Sequence, residues 1–546
     1  MKFKYLLTTG VFLSASCLSA TANDDRKNCV DVAIFSINDF HGSLVPAPEK
    51  GLPGAPSLVE TMDSLKSVYP YHLAVTAGDN FGGSFFYKET IGHTLMPQFF
   101  KDMGIQISAI GNHEFDDGQP AMEKKWKDAE IYPHNWNFEY VCANCRYTNG
   151  KIPDYITPCK VDSVALGNGK FVKIGFVGLL TSNTPNQASK RNLKGLTFDG
   201  DYPGVLDSIR HTEAYRPVAD ADIRVILTHI GTISDEKGQP VWEDKDMPNL
   251  YNIDDPSYHA IISSHSHKLV CGKINKAKYP IVQGESNGKY ICCLKFTIDT
   301  TTMKVVDAVP SVHPVTYKKK LGVKARRLQA QIEEQLATTL TPAGVPIGTR
   351  LTVAKNDIKH DREHKHRQAI IGNWVCASYA ECARKAARLS DKDIVVGVSH
   401  IGSIRSGFAK GPVSVLDVGE VLPFANNIRL FKVSGAQLEE LIEFGLHNEK
   451  YGYIQMGNLQ FKQNKKGKVS ELTYVAPDQS RRTIQAKDEC YLAADEFMTN
   501  GGDGYSPSFF PATQEIKDLD MPQTTDAFIN YLKSQPFIED PNANDF

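Results

Sequence analysis

Short apolar runs alternate with amphipathic segments along the first 300 residues of the chain. Four of these runs have the length and the β-branched content of strands, and they lie at 32–37, 72–76, 172–177 and 223–227. Helix-like stretches separate several of them, for example at 57–68 and 94–103. This alternation predicts a layered α/β domain.

The pattern changes near Lys318. A stretch at 325–340 rich in Arg, Gln, Glu, Ala and Leu predicts an exposed helix, and the segment from Thr341 to Pro346 then breaks it. We therefore expect a first domain at 28–318, a helical linker at 319–346 and a second domain at 347–546. The second half has its own predicted elements, which are helices at 369–389 and 434–446 and strands at 393–398, 469–475 and 490–493.

The composition agrees with two or more globular domains. The chain has 546 residues, of which 41% are hydrophobic and 23% are charged, and its net charge is −2. This length is too great for one ordinary core. The near balance of charge gives no reason to expect a nucleic acid polymer or an anionic membrane as the main partner.

The first 22 residues have the pattern of a secretory signal peptide. Lys2 and Lys4 precede an apolar run at 5–18, and the small residues Ala20 and Ala22 follow it. We expect cleavage there and a secreted or periplasmic protein. One alternative is a membrane anchor, although the run is shorter than the roughly 20 residues that span a bilayer. Another is a lipoprotein anchored through Cys17.

Ten cysteines remain after Cys17 is assigned to the signal. An even number in a secreted chain predicts several disulfides. The pair Cys142-x-x-Cys145 also has the spacing of a redox or zinc motif. The sequence does not fix the connectivity.

Five short polar runs in the first half carry metal-ligand residue types. Each ends or follows an apolar stretch, and they are Asp39-Phe-His41, Gly78-Asp79-Asn80, Gly111-Asn112-His113-Glu114, Thr228-His229 and His265-Ser-His267. Carboxylate, amide and imidazole groups suit divalent metals such as Zn²⁺ and Mn²⁺. Because ligand sites form where strand ends converge, we expect the five runs to build one site. Seven donors suit two metals that share one carboxylate, roughly 3.5–4 Å apart, as in phosphoryl transfer.

These runs resemble the five-motif signature of the calcineurin-like metallophosphoesterases. The variants from Asn38 to Gly42 and from Gly111 to Asp116 are similar to those of its 5'-nucleotidase branch. The resemblance covers nearly the whole mature chain. It implies an α/β fold in which a four-layer metallophosphoesterase β-sandwich, flanked by helices, is joined by a helical linker to a second α/β substrate-binding domain.

The resemblance also implies a role for each donor. Asp39, His41 and His267 would hold one divalent ion, Asn112, His229 and His265 the other, and Asp79 would bridge the two ions, which are Zn, Mn or Co. Many members of the branch carry Asn or Gln where this chain has His267. His113 would face the phosphate as a catalytic residue, with Asp116 orienting its imidazole. The alternatives for His113 are an extra metal ligand and a structural histidine.

Three loops of the second half carry the candidate substrate residues. Glycine lets a backbone approach a ligand closely, and exposed aromatic rings can stack on a flat base, although such a Phe is also common in cores. The resemblance implies that Phe424 and Phe497 stack on a nucleobase and that Asp503 binds the ribose. It implies phosphate contacts for Arg405 and for the basic segment that contains Lys365 and Arg367. His400 is also a candidate substrate residue.

The chain departs from the family pattern at two of these positions. The family usually has Asn where this chain has His400, and Arg where it has Lys365; Arg362 and Arg367 lie near Lys365. The alternative for the basic segment is a solvated surface loop. The resemblance predicts hydrolysis of 5'-nucleotides, with nucleoside diphosphates or UDP-sugars as further substrates. One alternative is a 2',3'-cyclic-nucleotide phosphodiesterase with 3'-nucleotidase activity, and another is a non-catalytic nucleotide-binding surface protein.

Overall fold

A computed structural model describes residues 28–540, except 83–85, 87–94, 117, 120–137, 168, 189–190, 236–239, 242–249, 251–252, 254, 275–278, 361–367 and 425. The predicted signal peptide and the candidate substrate residues Lys365 and Arg367 lie outside the described residues.

The first half of the chain contains sixteen described strands and four described α-helices. The strands are β1 (Cys29–Ile37), β2 (His72–Thr76), β3 (Ile105–Ala109), β4 (Glu139–Val141), β5 (Cys145–Tyr147), β6 (Cys159–Ala165), β7 (Phe171–Leu180), β8 (Leu196–Phe198), β9 (Ile223–His229), β10 (Ile233–Ser234), β11 (Pro240–Val241), β12 (Ala260–Ile262), β13 (Leu269–Ile274), β14 (Tyr279–Gly284), β15 (Tyr290–Asp299) and β16 (Lys304–Pro314). The helices are α1 (Gly54–Val68), α2 (Leu95–Met103), α3 (Tyr202–Arg210) and α4 (Arg216–Ala219).

Two six-stranded sheets form the centre of this domain. Their strand orders are β16-β15-β1-β2-β3-β4 and β13-β14-β12-β9-β7-β6. Strands β1 to β4 run parallel to one another, and so do β7, β9, β12 and β14. Because parallel strands share one direction, their carboxyl ends lie at the same edge of each sheet, where the candidate ligands follow.

The alternation of side chains along β1 explains the layers. Val32 and Ile34 belong to an apolar cluster that also contains Phe176 and Val225 from the second sheet, whereas Phe35 belongs to the cluster on the opposite face. Successive side chains of a strand point to opposite faces, so a strand covered on both sides is apolar throughout. Helices α1 and α2 cover one outer face, and α3 packs on the other. The predicted four-layer α/β arrangement is confirmed.

A single helix, α5 (Val323–Thr338), follows the first domain. It begins and ends two residues before the predicted bounds, because Gly322 and Thr339 adopt extended backbone at its two ends. The prediction of an exposed helix is only partly correct. Its buried face, which includes Leu328, packs against α1 and α2, and Arg327 donates to both oxygens of Asp102 at 2.6 and 2.8 Å.

The second half contains a further α/β domain. Its described strands are β17 (Arg350–Ala354), β18 (Ile394–His400), β19 (Gly411–Ser414), β20 (Ile428–Ser434), β21 (Ile454–Gly457), β22 (Leu459–Gln463), β23 (Val469–Val475), β24 (Arg481–Thr483), β25 (Glu489–Asp495) and β26 (Glu515–Ile516). Its described helices are α6 (Ile370–Ala386), α7 (Val415–Val421), α8 (Gly435–Leu446), α9 (Glu496–Thr499) and α10 (Thr524–Lys533). The main sheet has the order β21-β18-β25-β20-β26, and β22, β23 and β24 form a smaller sheet.

The two domains are in contact. Lys50 of the first domain lies 2.6 Å from the Oδ1 atom of Asp417 on α7, and a continuous apolar cluster reaches from Phe35 through Leu328 to Val395. The domain limits given above at 318 and 347 stay a prediction.

The cysteines of the described residues differ from the predicted disulfide framework. Eight of them carry free thiols in the structure, namely Cys142, Cys145, Cys159, Cys292, Cys293, Cys376, Cys382 and Cys490. Burial raises the pKa of Cys142 to about 12 and that of Cys382 to about 11, as expected for thiols in apolar surroundings. The disulfides expected from the even number of cysteines stay a prediction. Among the helices that the structure describes, each is too short or too polar to cross a membrane.

Candidate active site

The seven candidate ligands of the first domain converge at one edge of the two sheets. Asp39 and His41 follow β1, Asp79 follows β2, Asn112 follows β3, His229 ends β9, and His265 and His267 follow β12. Backbone hydrogen bonds tie neighbouring loops together: the Asp39 N–H donates to the Gly78 carbonyl at 3.1 Å, and the His41 N–H donates to the Asp79 carbonyl at 2.9 Å.

Most of these ligand residues have an uncommon backbone conformation. The φ angles of Asp39, His41, Asp79, His265 and His267 lie between 48° and 76°. The left-handed region is disfavoured for residues with a Cβ, and Asp, Asn and His tolerate it better than others. Residues held there against that cost are concentrated at functional sites.

Asp79 lies at the centre of the cluster. Its Oδ2 atom is 3.1 Å from His229 Nε2 and 4.0 Å from His41 Nε2. On the His229 side, the Asn112 Oδ1 atom lies 3.2 Å from the same Nε2. On the His41 side, His267 Nε2 lies 3.0 Å from His41 Nε2.

The donor set fits divalent cations. Two triads, Asp39 with His41 and His267, and Asp79 with His229 and His265, each have ligand atoms within 4.8 Å of one another. Asp39 and Asp79 are almost fully buried, at 0% and 1% exposure, and a buried carboxylate requires compensating charge. The donors are oxygen and imidazole nitrogen, which suits the borderline and hard metals rather than a structural thiolate site.

The tautomer of His229 is also set for ligation. Its Nδ1 atom lies 2.9 Å from the Ala77 carbonyl and 2.7 Å from the Ser264 hydroxyl. A proton on Nδ1 that is donated to the carbonyl leaves the Nε2 lone pair directed at Asp79 and Asn112. A hydrogen bond of this kind on the outer nitrogen is the usual support of a metal-bound histidine.

The charges of the cluster are strongly coupled. Burial alone would raise the pKa of Asp79, but the nearby His229 and His113 hold it well below its usual range. Burial would likewise lower the pKa of His229, but Asp79 raises it to about 9. Burial dominates at His41 and lowers its pKa to about 4. In the absence of cations, therefore, Asp79 is ionised and protons occupy part of the cation site.

His113 and Asp116 form a pair at the mouth of this cluster. The His113 Nδ1 atom lies 2.7 Å from Asp116 Oδ2, and the two side chains are 31% and 39% exposed. The ring of His113 lies edge-on to His41 with centroids 5.2 Å apart, and the His113 backbone N–H donates to Asp79 Oδ1 at 2.9 Å. His113, His41 and Asp79 also form a triad with metal-ligand spacing, so the choice between a catalytic and a ligand role stays a prediction.

Glu114 is a further functional candidate, to which the sequence pattern alone assigns no role. It is 2% exposed, and its carboxylate accepts the backbone N–H groups of Asp79, Asn80 and Gly111 at 2.9, 2.7 and 2.6 Å. It therefore holds the β2 and β3 loops together. The feature of the sequence that points to Glu114 is its position directly after His113 in the third polar run.

Asn38 and Gln187 also contact the ligands. Asn38 donates to Asp39 Oδ2 at 2.7 Å and accepts the Gly284 N–H at 2.7 Å. The Gln187 side-chain nitrogen lies 2.9 Å from His265 Nε2. Asn38 lies immediately before the first polar run, which begins at Asp39. No feature of the sequence points to Gln187.

The described substrate candidates of the second domain form two aromatic pairs. The ring of His400 stacks on Phe497 with centroids 4.9 Å apart and an interplanar angle of 26°. The Arg405 guanidinium lies over the Phe424 ring at 5.6 Å. Phe424 and Phe497 are 52% and 44% exposed, which leaves ring surface for a ligand. Asp503 Oδ2 lies 2.6 Å from His400 Nδ1, and the hydroxyl of Ser403, a residue without a predicted role, contacts His400 Nε2.

The two-sheet fold and its cluster of acidic, amide and imidazole donors define a metallophosphoesterase. Residues 33–269 match the family model of the calcineurin-like phosphoesterases, and residues 346–511 match that of the 5'-nucleotidase C-terminal domain. The chain thus contains both a calcineurin-like phosphoesterase domain and a 5'-nucleotidase C-terminal domain.

Individual relatives are distant. The chain is 25% identical to the cell wall protein Lmo0130 of Listeria monocytogenes over 97% of this chain and 70% of that protein. It is 23% identical to an apyrase of Aedes aegypti over 97% of this chain and 94% of that protein. The structure of a 5'-nucleotidase precursor from Thermus thermophilus covers 93% of this chain, with 97% of its own length matched, 19% identity and a TM-score of 0.63. This chain covers only 32% and 42% of the length of two relatives from Bacillus subtilis.

Proposed function

We propose that this protein is a secreted dimetal phosphohydrolase that converts 5'-nucleotides to nucleoside and phosphate. The observation that carries the proposal is the convergence of seven donors with Asp79 at their centre, directly beside the exposed His113–Asp116 pair. Nucleoside diphosphates and UDP-sugars are further candidate substrates. Their phosphoanhydride bond differs from the phosphate monoester of a 5'-nucleotide, but two cations that neutralise phosphate oxygens would promote attack on phosphorus in both.

The proposed ligands form two sets. Asp39, His41 and His267 would hold one divalent cation, Asn112, His229 and His265 the other, and Asp79 both. When bound, such a pair neutralises the phosphate oxygens and lowers the pKa of a coordinated water. Zn, Mn and Co all suit these donors.

His113 has the geometry of an electrostatic catalyst. Asp116 accepts the Nδ1 proton of the ring at 2.7 Å, which leaves Nε2 to face the phosphoryl oxygens. Burial alone would lower the pKa of His113, but Asp79 and Asp116 raise it to about 9. A protonated imidazole beside the phosphate would stabilise negative charge on the oxygens or on the leaving group.

The second domain would select the nucleotide. Phe424 and Phe497 would stack on the base, Asp503 would bind the sugar, and Arg405, Lys365 and Arg367 would contact phosphate. Arg405 suits an oxyanion because its guanidinium is planar and presents paired donors. An exposed aromatic ring backed by a second planar group, as in both pairs described above, suits a flat base.

Two other functions are compatible with a nucleotide site. A 2',3'-cyclic-nucleotide phosphodiesterase with 3'-nucleotidase activity would use the same metal centre, so only substrate tests separate it from a 5'-nucleotidase. A non-catalytic nucleotide-binding surface protein would tolerate loss of the metal ligands. All seven positions hold competent donors, which favours an enzyme.

Secretion is the proposed location. The charged start, apolar centre and Ala20-Thr-Ala22 end of the N-terminal segment support a cleaved signal and a periplasmic or extracellular protein. In such an oxidising compartment, disulfides among the ten remaining cysteines are a further proposal. Electrophoresis of the mature protein with and without reductant would test it.

The deciding experiment uses the purified mature protein with Mn²⁺, Co²⁺ or Zn²⁺. The substrates are 5'-AMP, ADP, UDP-glucose, 3'-AMP and 2',3'-cyclic AMP, and the readout is chromatography of the products. These are nucleoside and phosphate from the monophosphates, AMP and phosphate from ADP, UMP and glucose 1-phosphate from UDP-glucose, and an adenosine monophosphate from the cyclic nucleotide. We expect 5'-AMP to be hydrolysed fastest, and Asp79→Asn to lose nearly all activity. Asp154→Asn, at an exposed carboxylate, is the matched control and retains it. Hydrolysis of none of the substrates by metal-loaded protein would exclude the enzymatic function.

A further inference from the structure

His400 joins three parts of the proposed nucleotide site. Its Nδ1 atom lies 2.6 Å from Asp503 Oδ2, its Nε2 atom contacts the Ser403 hydroxyl, and its ring stacks on Phe497. The His400 side chain is 7% exposed, so it is buried beneath the surface that Phe497 presents.

The direction of the hydrogen bond to Asp503 follows from chemistry. A carboxylate oxygen only accepts, so Nδ1 of His400 carries the hydrogen and Oδ2 of Asp503 accepts it. The Ser403 hydroxyl can donate to Nε2 or accept from it, so the pair with Asp503 forms in either charge state of the ring. One oxygen of Asp503 is therefore committed before any ligand binds.

Asp503 has little freedom to turn its other oxygen away. Its backbone has a left-handed φ of 48°, and its carbonyl accepts the Asn448 side-chain N–H at 3.0 Å. Gly402 closes the side of the committed oxygen, because a Cβ atom added there would lie only 2.9 Å from Asp503 Oδ2. The carboxylate is 21% exposed, so Oδ1 is the oxygen left for a ligand.

We propose that His400 sets the sugar selectivity of this site, so that ribonucleotides and 2'-deoxyribonucleotides are both substrates. The proposal rests on the proposed function, in which Asp503 binds the sugar. His400 takes one lone pair of Oδ2, and Gly402 closes the other side of that oxygen. The 2'- and 3'-hydroxyls therefore share Oδ1 as their acceptor. When one hydroxyl is missing, the other takes its place, and the acceptor stays paired.

The opposite behaviour follows where both oxygens face the sugar. Each hydroxyl then has its own acceptor, and removal of either one leaves a buried carboxylate oxygen without a partner. An unpaired buried acceptor is the reason that such sites reject analogues lacking a hydroxyl. The two arrangements thus differ in whether the two hydroxyls contribute independently.

Four nucleosides test this difference by calorimetric titration of the full-length mature protein. They are adenosine, 2'-deoxyadenosine, 3'-deoxyadenosine and 2',3'-dideoxyadenosine. For the natural chain we expect both mono-deoxy compounds to bind within about threefold of adenosine, and the dideoxy compound at least about tenfold more weakly. A loss of about tenfold or more on removal of one hydroxyl would overturn the proposal.

Two substitutions of His400 and one of Asp503 sharpen the test. His400→Phe keeps a ring against Phe497 but removes the donor, so Oδ2 is released and each mono-deoxy compound should now lose about tenfold. His400→Gln keeps a donor and should retain the natural pattern. In Asp503→Ala all four nucleosides should bind alike. An unchanged pattern in His400→Phe, with its thermal unfolding intact, contradicts the role of His400.

Nucleosides carry no phosphate, so this measurement is independent of the metal centre. A protein with the expected nucleoside pattern that hydrolyses no nucleotide would refute the proposed phosphohydrolase and leave the role of His400 standing. A protein that hydrolyses 5'-AMP but shows independent contributions of the two hydroxyls would refute the role of His400 alone. Failure of all four nucleosides to bind would refute the assignment of this loop cluster to the sugar and base.

Discussion

The Glu114 carboxylate accepts the backbone N–H of Asp79 at 2.9 Å, so a residue of the β3 loop fixes the proposed bridging ligand of the β2 loop. The same carboxylate accepts two further N–H groups, from Asn80 and Gly111. These bonds make Glu114 a positioning residue for both loops.

Glu114→Gln should lower stability and metal affinity together. One oxygen of the carboxylate is replaced by an NH₂ group, so at least one of the three backbone N–H groups loses its acceptor. An unpaired buried donor costs on the order of 1–3 kcal/mol. Denaturant unfolding of the metal-free protein measures the cost, and titration with Mn²⁺ measures the affinity. Glu139→Gln, at a partly exposed carboxylate paired with Lys160, is the control, and equal losses in both variants would argue against the clamp.

Chelation of bound metal should destabilise the natural protein. A ligand that binds only the folded state stabilises it by RT ln(1 + [L]/Kd), which is about 2.7 kcal/mol at one hundred times Kd. Scanning calorimetry with and without EDTA gives the shift in Tm. The matched variant Asp79→Asn should show a much smaller shift, since it lacks the proposed shared ligand. Identical shifts in the two proteins would mean that the stabilising metal binds elsewhere.

His113→Ala should slow turnover and spare metal binding. A positioned proton-transfer group contributes roughly 10²–10⁴-fold to the rate. Steady-state kinetics with 5'-AMP, together with metal analysis of the same sample, separates the two effects. Asp116→Asn keeps the imidazole of His113 but removes the negative charge that lies 2.7 Å from it. The kcat of this variant should therefore fall less than that of His113→Ala. Loss of bound metal in His113→Ala would instead identify His113 as a ligand.

His259 should make stability depend on pH in mildly acidic solution. Its Nδ1 atom accepts the Arg224 backbone N–H at 3.0 Å, and burial together with the Arg224 charge lowers its pKa from 6.5 to about 4. The unfolded state therefore binds more protons between these values. The contribution of the neutral ring is complete above pH 6.5 and is lost as the pH falls towards 4, with a loss of roughly 2 kcal/mol at about pH 5.

This pH dependence is measured by urea unfolding of the natural protein and of His259→Gln at a series of pH values. The variant cannot take up the proton, so the natural protein should lose more stability than the variant between pH 7 and pH 5. Parallel curves would show that His259 keeps its ordinary pKa in the fold.

The strand-and-ligand pattern of the first domain was predictable because each ligand run follows an apolar strand. Convergence of strand ends is a property of parallel sheets, so the meeting of Asp39 and Asp79 follows from local signals. That His229 joins them depends on how the second sheet stacks on the first. The clamp by Glu114 was not predictable, since it depends on backbone N–H groups from two separate loops. The same holds for His400, whose contact with Asp503 joins residues 103 positions apart.

The error over helix α5 has an equally local cause. The helix looked exposed because charged residues dominate its composition, but Arg327 is held by Asp102, and Leu328 is fully buried. Composition does not record such contacts.

The left-handed backbone at the ligand positions limits how this metal centre can evolve. A replacement at Asp79 or His267 must supply a donor atom and also accept a positive φ, which excludes β-branched residues on steric grounds. Asp, Asn and His meet both conditions most readily, and the Gln that many members of the branch carry at the position of His267 is also unbranched at Cβ. Ligand exchange among relatives is therefore expected to favour donors that are unbranched at Cβ, so the backbone restricts which ligands, and hence which metals, this site can acquire.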